Sequence, residues 1–370
     1  MKIVVLDANA YWTEQLFREC GRFADVLLLK PRDFRAHQRL AGTWRSDAQP
    51  RLVGARVWEQ CLSMPPGWMF GLWPLARHKL QRAIRQFAGV EPVTLVLNFP
   101  QYRRLIPTLK PARSVYYNFD DYRDNWPAQR PAMPRWEAEL VELADQTICI
   151  ADHRANLLRE QHPAKAAGIF HLPIGCTPEF MANSETGDRR PETGNRKVAG
   201  YIGALNFRFD FDFLADVASR LPDVTFALGG RVQMEGDATW RKGLERARTV
   251  PNIKFLGWVE HARLGEKLNG FDVLLMPYAL CHFNTNACPA KLWDYLGTGK
   301  PIVANDANPE TLLWSEVVHI GATPEAFAAA IRSALTGEDA HLSRRRLEIA
   351  REHTWDKLSQ RLERILSAAE

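Results

Sequence analysis

The chain has no long apolar run and no strong excess of charge of either sign. No stretch approaches the roughly 18 uninterrupted apolar residues that a membrane-spanning helix requires. The start of the sequence, MKIVVLDANAYW, lacks the apolar core and the small-residue cleavage site of a signal peptide. From these absences we expect a cytoplasmic protein without a spanning segment.

Metal-binding and disulfide patterns are also missing. The six cysteines are scattered, with no CxxC motif and no cysteine–histidine spacing typical of a metal site. No aspartate triplet or histidine cluster suggests a bound cation. We therefore predict reduced thiols, no metal and no cofactor.

The charge balance excludes little. Lysine and arginine number 48 against 43 aspartates and glutamates, a net charge of +5. This small excess does not indicate nucleic-acid binding, and it suits an anionic sugar nucleotide or an anionic membrane face equally well. A dehydrogenase is disfavoured because no GxGxxG motif follows an early strand; the first predicted strand leads into Asp7-Ala-Asn-Ala instead.

The length and the apolar pattern predict two α/β domains. A chain of 370 residues with 46% apolar and 25% charged residues is expected to fold as about two domains. In the first half, short apolar runs typical of buried parallel strands alternate with helical patterns. The predicted strands are Lys2–Leu6, Asp25–Leu29, Val93–Phe99, Ser114–Phe119 and Gln146–Ala151, and the predicted helices are Pro74–Phe87, Pro134–Ala144 and Asp152–Gln161.

The second half repeats this rhythm after a polar stretch rich in turn-forming residues, 183–197, which we interpret as the linker between residues 1–182 and 198–351. Alternating strands and helices predict a second doubly wound parallel sheet. Its predicted strands are Val198–Ile202, Val224–Leu228, Ile253–Leu256, Val273–Met276 and Ile302–Ala304, and its predicted helices are Asp212–Arg220, Thr239–Ala247, His261–Leu268 and Ala290–Leu296. Residues 352–370 predict a final amphipathic helix, with Trp355, Leu358, Leu362 and Ile365 at three- and four-residue spacing.

The residues that follow the strands of the second half predict a ligand site, because open α/β sheets bind ligands at the carboxyl ends of their strands. Small residues and cations recur there: a glycine lets the backbone approach a phosphate, and an arginine neutralises it. These residues are Gly203, Arg208, Gly230, Arg231, Gly257, Trp258, Val259 and Tyr278.

The segment 284–303 carries the sharpest motif. Pro289 suits the first turn of a helix, which leaves the amides of Ala290 and Lys291 at a helix N-terminus able to stabilise a diphosphate. Lys291 adds a charge at the same place. Asp294 follows at i+3, on roughly the same face, where its carboxylate can accept hydrogen bonds from a ribose diol. A surface ion pair on a capped helix is the simpler interpretation of Lys291 and Asp294.

The run PAKLWDYLGTGKPIVA resembles the donor-site helix of GT-B glycosyltransferases. The resemblance is greatest to bacterial polysaccharide enzymes of the teichuronic-acid type, which are group 1-like glycosyltransferases. VAGYIGAL, PNIKFLGWV and FDVLLMPY follow in the order and spacing of that family. In the first half, YYNFDDY, ELVELADQTICIA and LPIGCTPEF resemble its weaker signatures, and the terminal TWDKL helix resembles the one that crosses back to the first domain. The resemblance covers most of the chain.

The resemblance implies two Rossmann-like domains facing a cleft, with residues 1–182 binding the acceptor and 198–351 the nucleotide-sugar donor. It places Lys291, Arg208 and the amides near Ala290 on the diphosphate, Asp294 on the ribose and the backbone of residues 257–259 around the base. This sequence differs from the family pattern at two positions. The family usually has glutamate at the position of Asp294, and many retaining members have the first glutamate of a spaced pair at the position of Asn286. Inverting or retaining chemistry therefore stays open.

An inverting enzyme also requires a base for the acceptor hydroxyl. Asp120 and Asp121 follow the predicted strand Ser114–Phe119, and we nominate Asp121 as the base with Asp120 second. Paired aspartates after a strand also cap turns.

A segment of the first half predicts contact with a membrane face. Residues 68–79, continuing to Arg82 and Arg85, place aromatics beside clustered cations, as in segments that lie in a membrane interface. The simpler interpretation is a helix packed on the first domain with a solvated basic face.

The sequence thus predicts a glycosyltransferase that transfers a sugar from a UDP- or GDP-sugar to a glycan or lipid-linked acceptor in bacterial surface polysaccharide synthesis. Exopolysaccharide, capsule and lipopolysaccharide pathways are all open. Two alternatives remain: a sugar-nucleotide 2-epimerase, which shares the fold but releases no free nucleoside diphosphate, and a catalytically inactive sugar-nucleotide-binding scaffold.

Overall fold

A computed structural model describes the chain except for residues 43–44, 70–72, 124–125, 185–195, 235, 261–262 and 368–370. The chain divides into two units. The first unit comprises Met1–Ile174 and Trp355–Glu370, and the second comprises Gly175–Thr354. Most of the predicted linker 183–197 lies outside the described residues, so the predicted domain boundaries stay a prediction.

The apolar runs of the first half form the strands of one sheet. Ile3–Leu6 is fully buried, as expected for a strand covered on both faces. The strands of the first unit are β1 (Lys2–Leu6), β2 (Asp25–Asp33), β3 (Arg51–Gly54), β4 (Val57–Met64), β5 (Val93–Leu97), β6 (Arg113–Asn118), β7 (Gln146–Cys149) and β8 (Ile169–His171).

The first sheet is doubly wound, with the strand order β3-β4-β2-β1-β5-β6-β7-β8. The pairs are parallel except for β3 with β4, which is antiparallel. The chain order reverses at β1, whose Leu6 pairs with Leu29 of β2 on one side and Leu97 of β5 on the other. Such a switch point opens a crevice at the carboxyl ends of the central strands.

Helices connect these strands. Those of the first unit, up to Gln161, are α1 (Tyr11–Glu19), α2 (Phe34–Ala41), α3 (Trp73–Ala88), α4 (Leu105–Leu109), α5 (Met133–Leu143) and α6 (Asp152–Gln161). Short 3-10 turns at Cys20–Arg22, Pro100–Arg104, Pro127–Gln129 and Pro163–Gly168 complete the connections.

The second unit contains a parallel sheet of order β11-β10-β9-β12-β13-β14, with its switch point between β9 and β12. Its strands are β9 (Val198–Ile202), β10 (Thr225–Gly229), β11 (Ile253–Gly257), β12 (Val273–Met276), β13 (Ile302–Ala304) and β14 (His319–Ile320). Its helices are α7 (Pro178–Ser184), α8 (Phe211–Arg220), α9 (Ala238–Thr249), α10 (Leu264–Asn269), α11 (His282–Asn286), α12 (Ala290–Gly297), α13 (Pro309–Leu312), α14 (Pro324–Thr336) and α15 (Ala340–Glu352).

The last helix, α16 (Trp355–Ser367), belongs to the first unit. Trp355, Leu358 and Leu362 are buried at three- and four-residue spacing, and the helix packs against α1. Gln146 in β7 donates a side-chain hydrogen bond to the carbonyl of Ile365 at 2.7 Å. The predicted return of the terminal helix to the first domain is confirmed.

The prediction of two parallel, doubly wound sheets is confirmed, with one antiparallel edge pair that it lacked. β4 mixes Glu59 and Gln60 with apolar residues, so its sequence does not show the continuous apolar run of a parallel strand. Among the described helices, none combines the length and apolarity that crossing a membrane requires.

Candidate functional site

The predicted donor residues gather at the carboxyl edge of the second sheet. Gly203 follows β9, Gly230 follows β10 and Tyr278 follows β12. Since β9 and β12 flank the switch point of this sheet, their loops border the crevice where doubly wound sheets bind ligands.

Glycines allow the loops after β9, β10 and β11 to approach one another closely. The amide of Gly203 donates to the carbonyl of Gly229 at 2.8 Å, and the amide of Gly230 donates to the carbonyl of Gly257 at 2.7 Å. Gly230 has a φ of 140°, and a Cβ on this residue would stand 1.8 Å from the carbonyl oxygen of Gly203. Only glycine fits at position 230. The glycines leave the backbone groups of the crevice uncovered by side chains, so that a ligand can approach them.

The loop after β11 presents an exposed aromatic side chain beside a cation. Gly257 adopts a φ of 72°, which turns the chain at the strand end. Trp258 is 62% exposed, and the Arg231 guanidinium lies over its ring at 4.6 Å. Val259 packs towards the same edge, because a Cβ on Gly229 would stand 3.0 Å from its Cγ2. The stacked pair holds two planar groups at the rim of the crevice.

Arg208 lies in the loop after β9 and is held against the loop after β12, where the amide of Ala279 donates to its carbonyl at 2.9 Å. Its guanidinium lies over the Phe283 ring at 4.6 Å, and its Nε donates to Asn206 at 3.2 Å. The side chain of Asn284 donates to the Arg208 carbonyl at 2.9 Å, which fixes the backbone of the arginine. These contacts hold the Arg208 cation near the carboxyl ends of β9 and β12.

Tyr278 lies close to both of the cations that are predicted to bind the phosphates. Burial raises the pKa of its hydroxyl to about 12, and the charges of Lys291 and Arg208 act in the opposite direction. Both cations are therefore close enough to the phenol to favour its ionised form. The amide and carbonyl of Tyr278 bond to the side chain of Asn305 at 3.2 and 2.7 Å, which fixes the loop after β12.

Helix α12 begins where the sequence predicts an anion site. Pro289 is the N-cap residue, one position earlier than the first-turn position that the sequence suggests, and Ala290 is the first helical residue. The amides of Ala290 and Lys291 occupy the first turn, where an α-helix offers them no internal acceptor. The Lys291 ammonium lies over the Tyr201 ring at 5.1 Å and against Gly203. The helix terminus and the ammonium therefore lie beside the loop after β9.

Asp294 lies one turn further along α12 and is half-buried. Burial raises the pKa of its carboxyl to about 7, while the charge of Lys291 and a hydrogen bond from Thr177 oppose that rise. The predicted interaction of Asp294 with Lys291 is thus electrostatic. A carboxyl group with this pKa accepts hydrogen bonds more strongly as it ionises near neutral pH.

Several supporting residues of the crevice escaped the sequence analysis. Tyr201 accepts the Lys291 cation on its ring, Tyr295 accepts the amide of Ile202 at 3.3 Å, and Asn305 fixes Tyr278. Asn286, the residue at the family's first glutamate position, is buried and donates to the His282 carbonyl at 2.8 Å. Tyr295 lies within the α12 motif and Asn305 directly follows β13, so their positions could have indicated them, whereas Tyr201 lies inside β9 and gave no such signal.

Asp121, the nominated base, is buried in ion pairs of the first unit. Its carboxylate lies 2.5 Å from Arg123 Nη2 and 3.6 Å from Arg154 Nη1. Burial favours the neutral acid, but the Arg123 hydrogen bond and the Arg154 charge outweigh it and hold the pKa of Asp121 below its usual range. Asp120 is also buried, and its carboxylate accepts the amide of Asp121 at 2.8 Å. The catalytic role of either residue stays a prediction.

Asp7 is a residue of interest that the sequence analysis noted only as the end of the first strand. It lies at the switch point of the first sheet with a φ of 65°, a conformation that non-glycine residues rarely adopt. Its carboxylate accepts the hydroxyl of Tyr102 at 2.8 Å, and its carbonyl accepts the Asn98 side chain at 3.0 Å. Burial raises the pKa of Asp7 to about 6. A strained, titratable group at a switch point is typical of functional sites.

The predicted membrane segment is only partly available to a membrane. Trp68 is 5% exposed and packs on Tyr102, with ring centroids 5.7 Å apart. Residues 70–72 lie outside the described residues. Leu75, by contrast, is 64% exposed at the start of α3.

Comparisons with known proteins agree with this architecture. No family model matches the chain. TuaH of Bacillus subtilis (strain 168), named as a teichuronic acid biosynthesis glycosyltransferase, is 25% identical over 313 residues, covering 77% of this chain and 76% of that protein.

Solved structures match over the full length. Sucrose-phosphate synthase from Thermosynechococcus elongatus has a TM-score of 0.72 at 15% identity, with all of both chains covered. Anabaena HepE in complex with UDP has a TM-score of 0.74 at 15% identity, again with all of both chains covered. These similarities show the fold, and the sequence relative carries the activity class. The chain has the GT-B fold and is a glycosyltransferase, as its sequence predicted.

Proposed function

We propose that this protein transfers a sugar from UDP-sugar to a glycan or lipid-linked acceptor in the synthesis of a bacterial cell-surface polysaccharide. One observation carries the donor half of the proposal. The first turn of α12 and the cations of Lys291 and Arg208 converge beside bare glycine backbone at the switch point of the second sheet. A diphosphate requires this combination of amides and positive charge.

The same groups account for the chemistry of the leaving group. As the bond between the sugar and the diphosphate breaks, negative charge grows on the diphosphate oxygens. The Lys291 ammonium, the Arg208 guanidinium and the α12 amides stabilise that charge in place. We therefore propose that no metal is required and that the activity survives EDTA. Strict dependence on magnesium would overturn this part of the proposal.

The base and ribose contacts follow from the rim of the crevice. We propose that the backbone of residues 257–259 borders the base, with Arg231 and Trp258 beside it, and that Asp294 accepts the ribose hydroxyls. The HepE structure contains UDP, and its fold matches over the full chain, which favours uridine as the base.

The acceptor hydroxyl loses a proton during transfer, and the first unit offers three carboxylates for it. Asp121 and Asp120 remain our proposal from the sequence, although the ion pairs of Asp121 lower its pKa. Asp7 is the rival, because a base with a pKa near the working pH is more effective. Turnover of Asp121→Asn, Asp120→Asn and Asp7→Asn, each with UDP affinity measured in parallel, separates them. A base variant loses turnover by about a hundredfold or more and keeps its UDP affinity.

The pathway proposal is supported by the TuaH relative, whose name refers to teichuronic acid biosynthesis. We further propose that the protein works on the cytoplasmic side of the membrane and contacts it peripherally through the basic face of the first unit. Failure to bind anionic liposomes would exclude that contact.

A thermal-shift screen tests the donor site directly. The full-length protein is melted with UDP, GDP, ADP, TDP and CMP, because a ligand that binds only the folded state raises the melting temperature. We expect a selective shift from UDP that is lost in Lys291→Ala. Lys242→Ala, which removes an exposed lysine from α9 of the same unit, is the matched control and keeps the shift.

Two results would contradict the proposal. A screen without any nucleotide-dependent shift would favour an inactive scaffold. UDP binding without release of UDP from UDP-sugar in the presence of an acceptor would favour an epimerase.

A further inference from the structure

The first unit contains an apolar pocket that the donor site does not use. It has a volume of about 920 Å³ and lies where α2, the end of β4 and the start of α3 meet. Its described walls include Phe34, Met64, Pro65 and Leu75. Pockets of this size hold ligands rather than single waters.

The pocket lies on the side of the sheet where open α/β folds bind ligands. Ser63 and Met64 are the last residues of β4, and Phe34 follows directly after β2. The carboxyl ends of both strands therefore lie at the pocket. They lie at the same edge of the sheet as the carboxyl end of β1, which Asp7 follows.

Two of the apolar walls are exposed to solvent. Phe34 is 38% exposed and Leu75 is 64% exposed, whereas Met64 is buried at the base. Large apolar side chains left open around a cavity indicate a surface that a partner covers.

The rim carries positive charge. Among the described lining residues are Arg45, His78 and Lys79, and none is an aspartate or a glutamate. The Lys79 ammonium donates to the carbonyl of Ser63 at 2.9 Å, which holds it at the edge of the pocket. The two flanking helices, α2 and α3, together contain six arginines and lysines and no acidic residue.

We propose that this pocket binds the apolar chain of an amphiphile whose phosphate group lies on the Arg45 and Lys79 rim. The occupant is a single lipid phosphate molecule. Its role as the carrier of the acceptor rests on the proposed function. An apolar cavity gives the affinity for the chain, and the cationic rim selects an anionic head over a neutral one.

Calorimetric titration of the full-length protein with monomeric hexyl, octyl and decyl phosphate tests this site. Each added methylene buried in the pocket strengthens binding by about fourfold until the pocket is full. Decyl glucoside, which has the same chain and a neutral head, binds more weakly than decyl phosphate.

Three variants locate the binding. Leu75→Gln weakens the binding of decyl phosphate by roughly tenfold, since it places a polar group against the alkyl chain. Leu52→Gln changes a leucine of similar exposure, 61%, in the same unit but outside the described pocket lining, and it leaves binding unchanged. Lys79→Gln weakens decyl phosphate several-fold and leaves decyl glucoside unaffected.

The outcomes separate this site from the donor site. UDP still shifts the melting temperature of Leu75→Gln, so loss of amphiphile binding and loss of nucleotide binding are independent results. Equal binding of decyl phosphate by Leu75→Gln and Leu52→Gln overturns the pocket. Binding to anionic vesicles without binding to monomeric alkyl phosphates also overturns it, and identifies the surface as a bilayer contact.

Discussion

Gly203 and Lys291 are packed so closely that a side chain on residue 203 would displace the Lys291 ammonium. A Cβ on residue 203 would stand 2.0 Å from Lys291 Cε and 2.4 Å from Lys291 Nζ. The glycine after β9 therefore does more than turn the chain, because it leaves the space in which the α12 ammonium reaches the crevice. The two sequence motifs, some 90 residues apart, form one site.

Gly203→Ala displaces the Lys291 ammonium and should weaken UDP binding by about tenfold or more, which is a loss of about 1.4 kcal/mol in binding free energy. Titration calorimetry with UDP measures this. Gly89→Ala is the control: Gly89 also has a positive φ, 64°, but no heavy atom lies within 4 Å of its added Cβ. It should lose about 1 kcal/mol of stability and keep its UDP affinity. Unchanged UDP affinity in Gly203→Ala would show that Lys291 does not contact the nucleotide.

Gly200→Ala should destabilise the second sheet by about 3 kcal/mol, because its Cβ would stand 2.0 Å from the Phe271 ring. Denaturant unfolding measures the change. Gly54→Ala, whose Cβ meets Val57 at an ordinary 3.6 Å, should change stability by less than about 0.5 kcal/mol. The double variant Gly200→Ala with Phe271→Leu should recover part of the loss, and a failure to recover it would assign the loss to another contact.

Asp294 should make the protein less stable as the pH rises. Its pKa in the folded protein, about 7, exceeds the ordinary value of 3.8. The folded state therefore binds more protons between these two pH values, and the free energy of unfolding falls as the pH rises through them. Asp294→Asn removes this dependence. Relative to the parent, the variant should gain about 1–3 kcal/mol between pH 5 and pH 8 in urea unfolding. The control Asp306→Asn replaces an exposed aspartate and should not gain stability relative to the parent over this pH range. If the difference in unfolding free energy between Asp294→Asn and the parent did not change with pH, the raised pKa would be contradicted.

Asp294 should also distinguish ribose from deoxyribose. If its carboxylate accepts the ribose hydroxyls, UDP binds more tightly than 2′-deoxy-UDP by roughly tenfold, the value of one charge-assisted hydrogen bond. Competition titrations of both nucleotides measure the ratio. Asp294→Asn should reduce the ratio towards one, whereas a ratio unchanged by the substitution would place the ribose elsewhere.

Asp121→Asn should cost about 2 kcal/mol of stability at neutral pH, because it removes the buried carboxylate that pairs with Arg123 and lies 3.6 Å from Arg154, which keeps its ion pair with Glu137. The pKa of Asp121 is lowered by folding, so the stability that its carboxylate contributes is present at neutral pH and is lost as the pH falls. Parent and variant should converge in acid. The control Asp25→Asn breaks the exposed pair with Arg56 and should cost less than about 1 kcal/mol. Equal losses in the two variants would show that burial adds nothing.

Much of the fold was predictable because parallel strands buried on both faces have near-continuous apolar sequences. Nine of the ten predicted strands have bounds within two residues of the predicted ones, and the tenth, β2, runs four residues further, to Asp33. Six predicted helices also agree within two residues, whereas the start of the helix predicted at His261–Leu268 lies outside the described residues. Four strands were not predicted. β3, β8 and β14 are edge strands of four residues or fewer, and β4 mixes Glu59 and Gln60 with apolar residues. Pro289 was placed one position too far into its helix, an error of the size expected at helix ends.

The sequence by itself determined the periodicities, the glycines and the α12 motif, and hence the fold class and the candidate donor residues. Only the tertiary structure decided which of these residues meet. Lys291, Gly203 and Tyr278 come together because β9 and β12 are neighbours at a switch point, a relation that strand order sets and local sequence does not. Likewise, Asp121 lies among arginines and Asp7 is buried in a strained conformation for reasons of packing. Burial and charged neighbours control the pKa of a carboxyl, and neither is a property of the residues beside it in the chain.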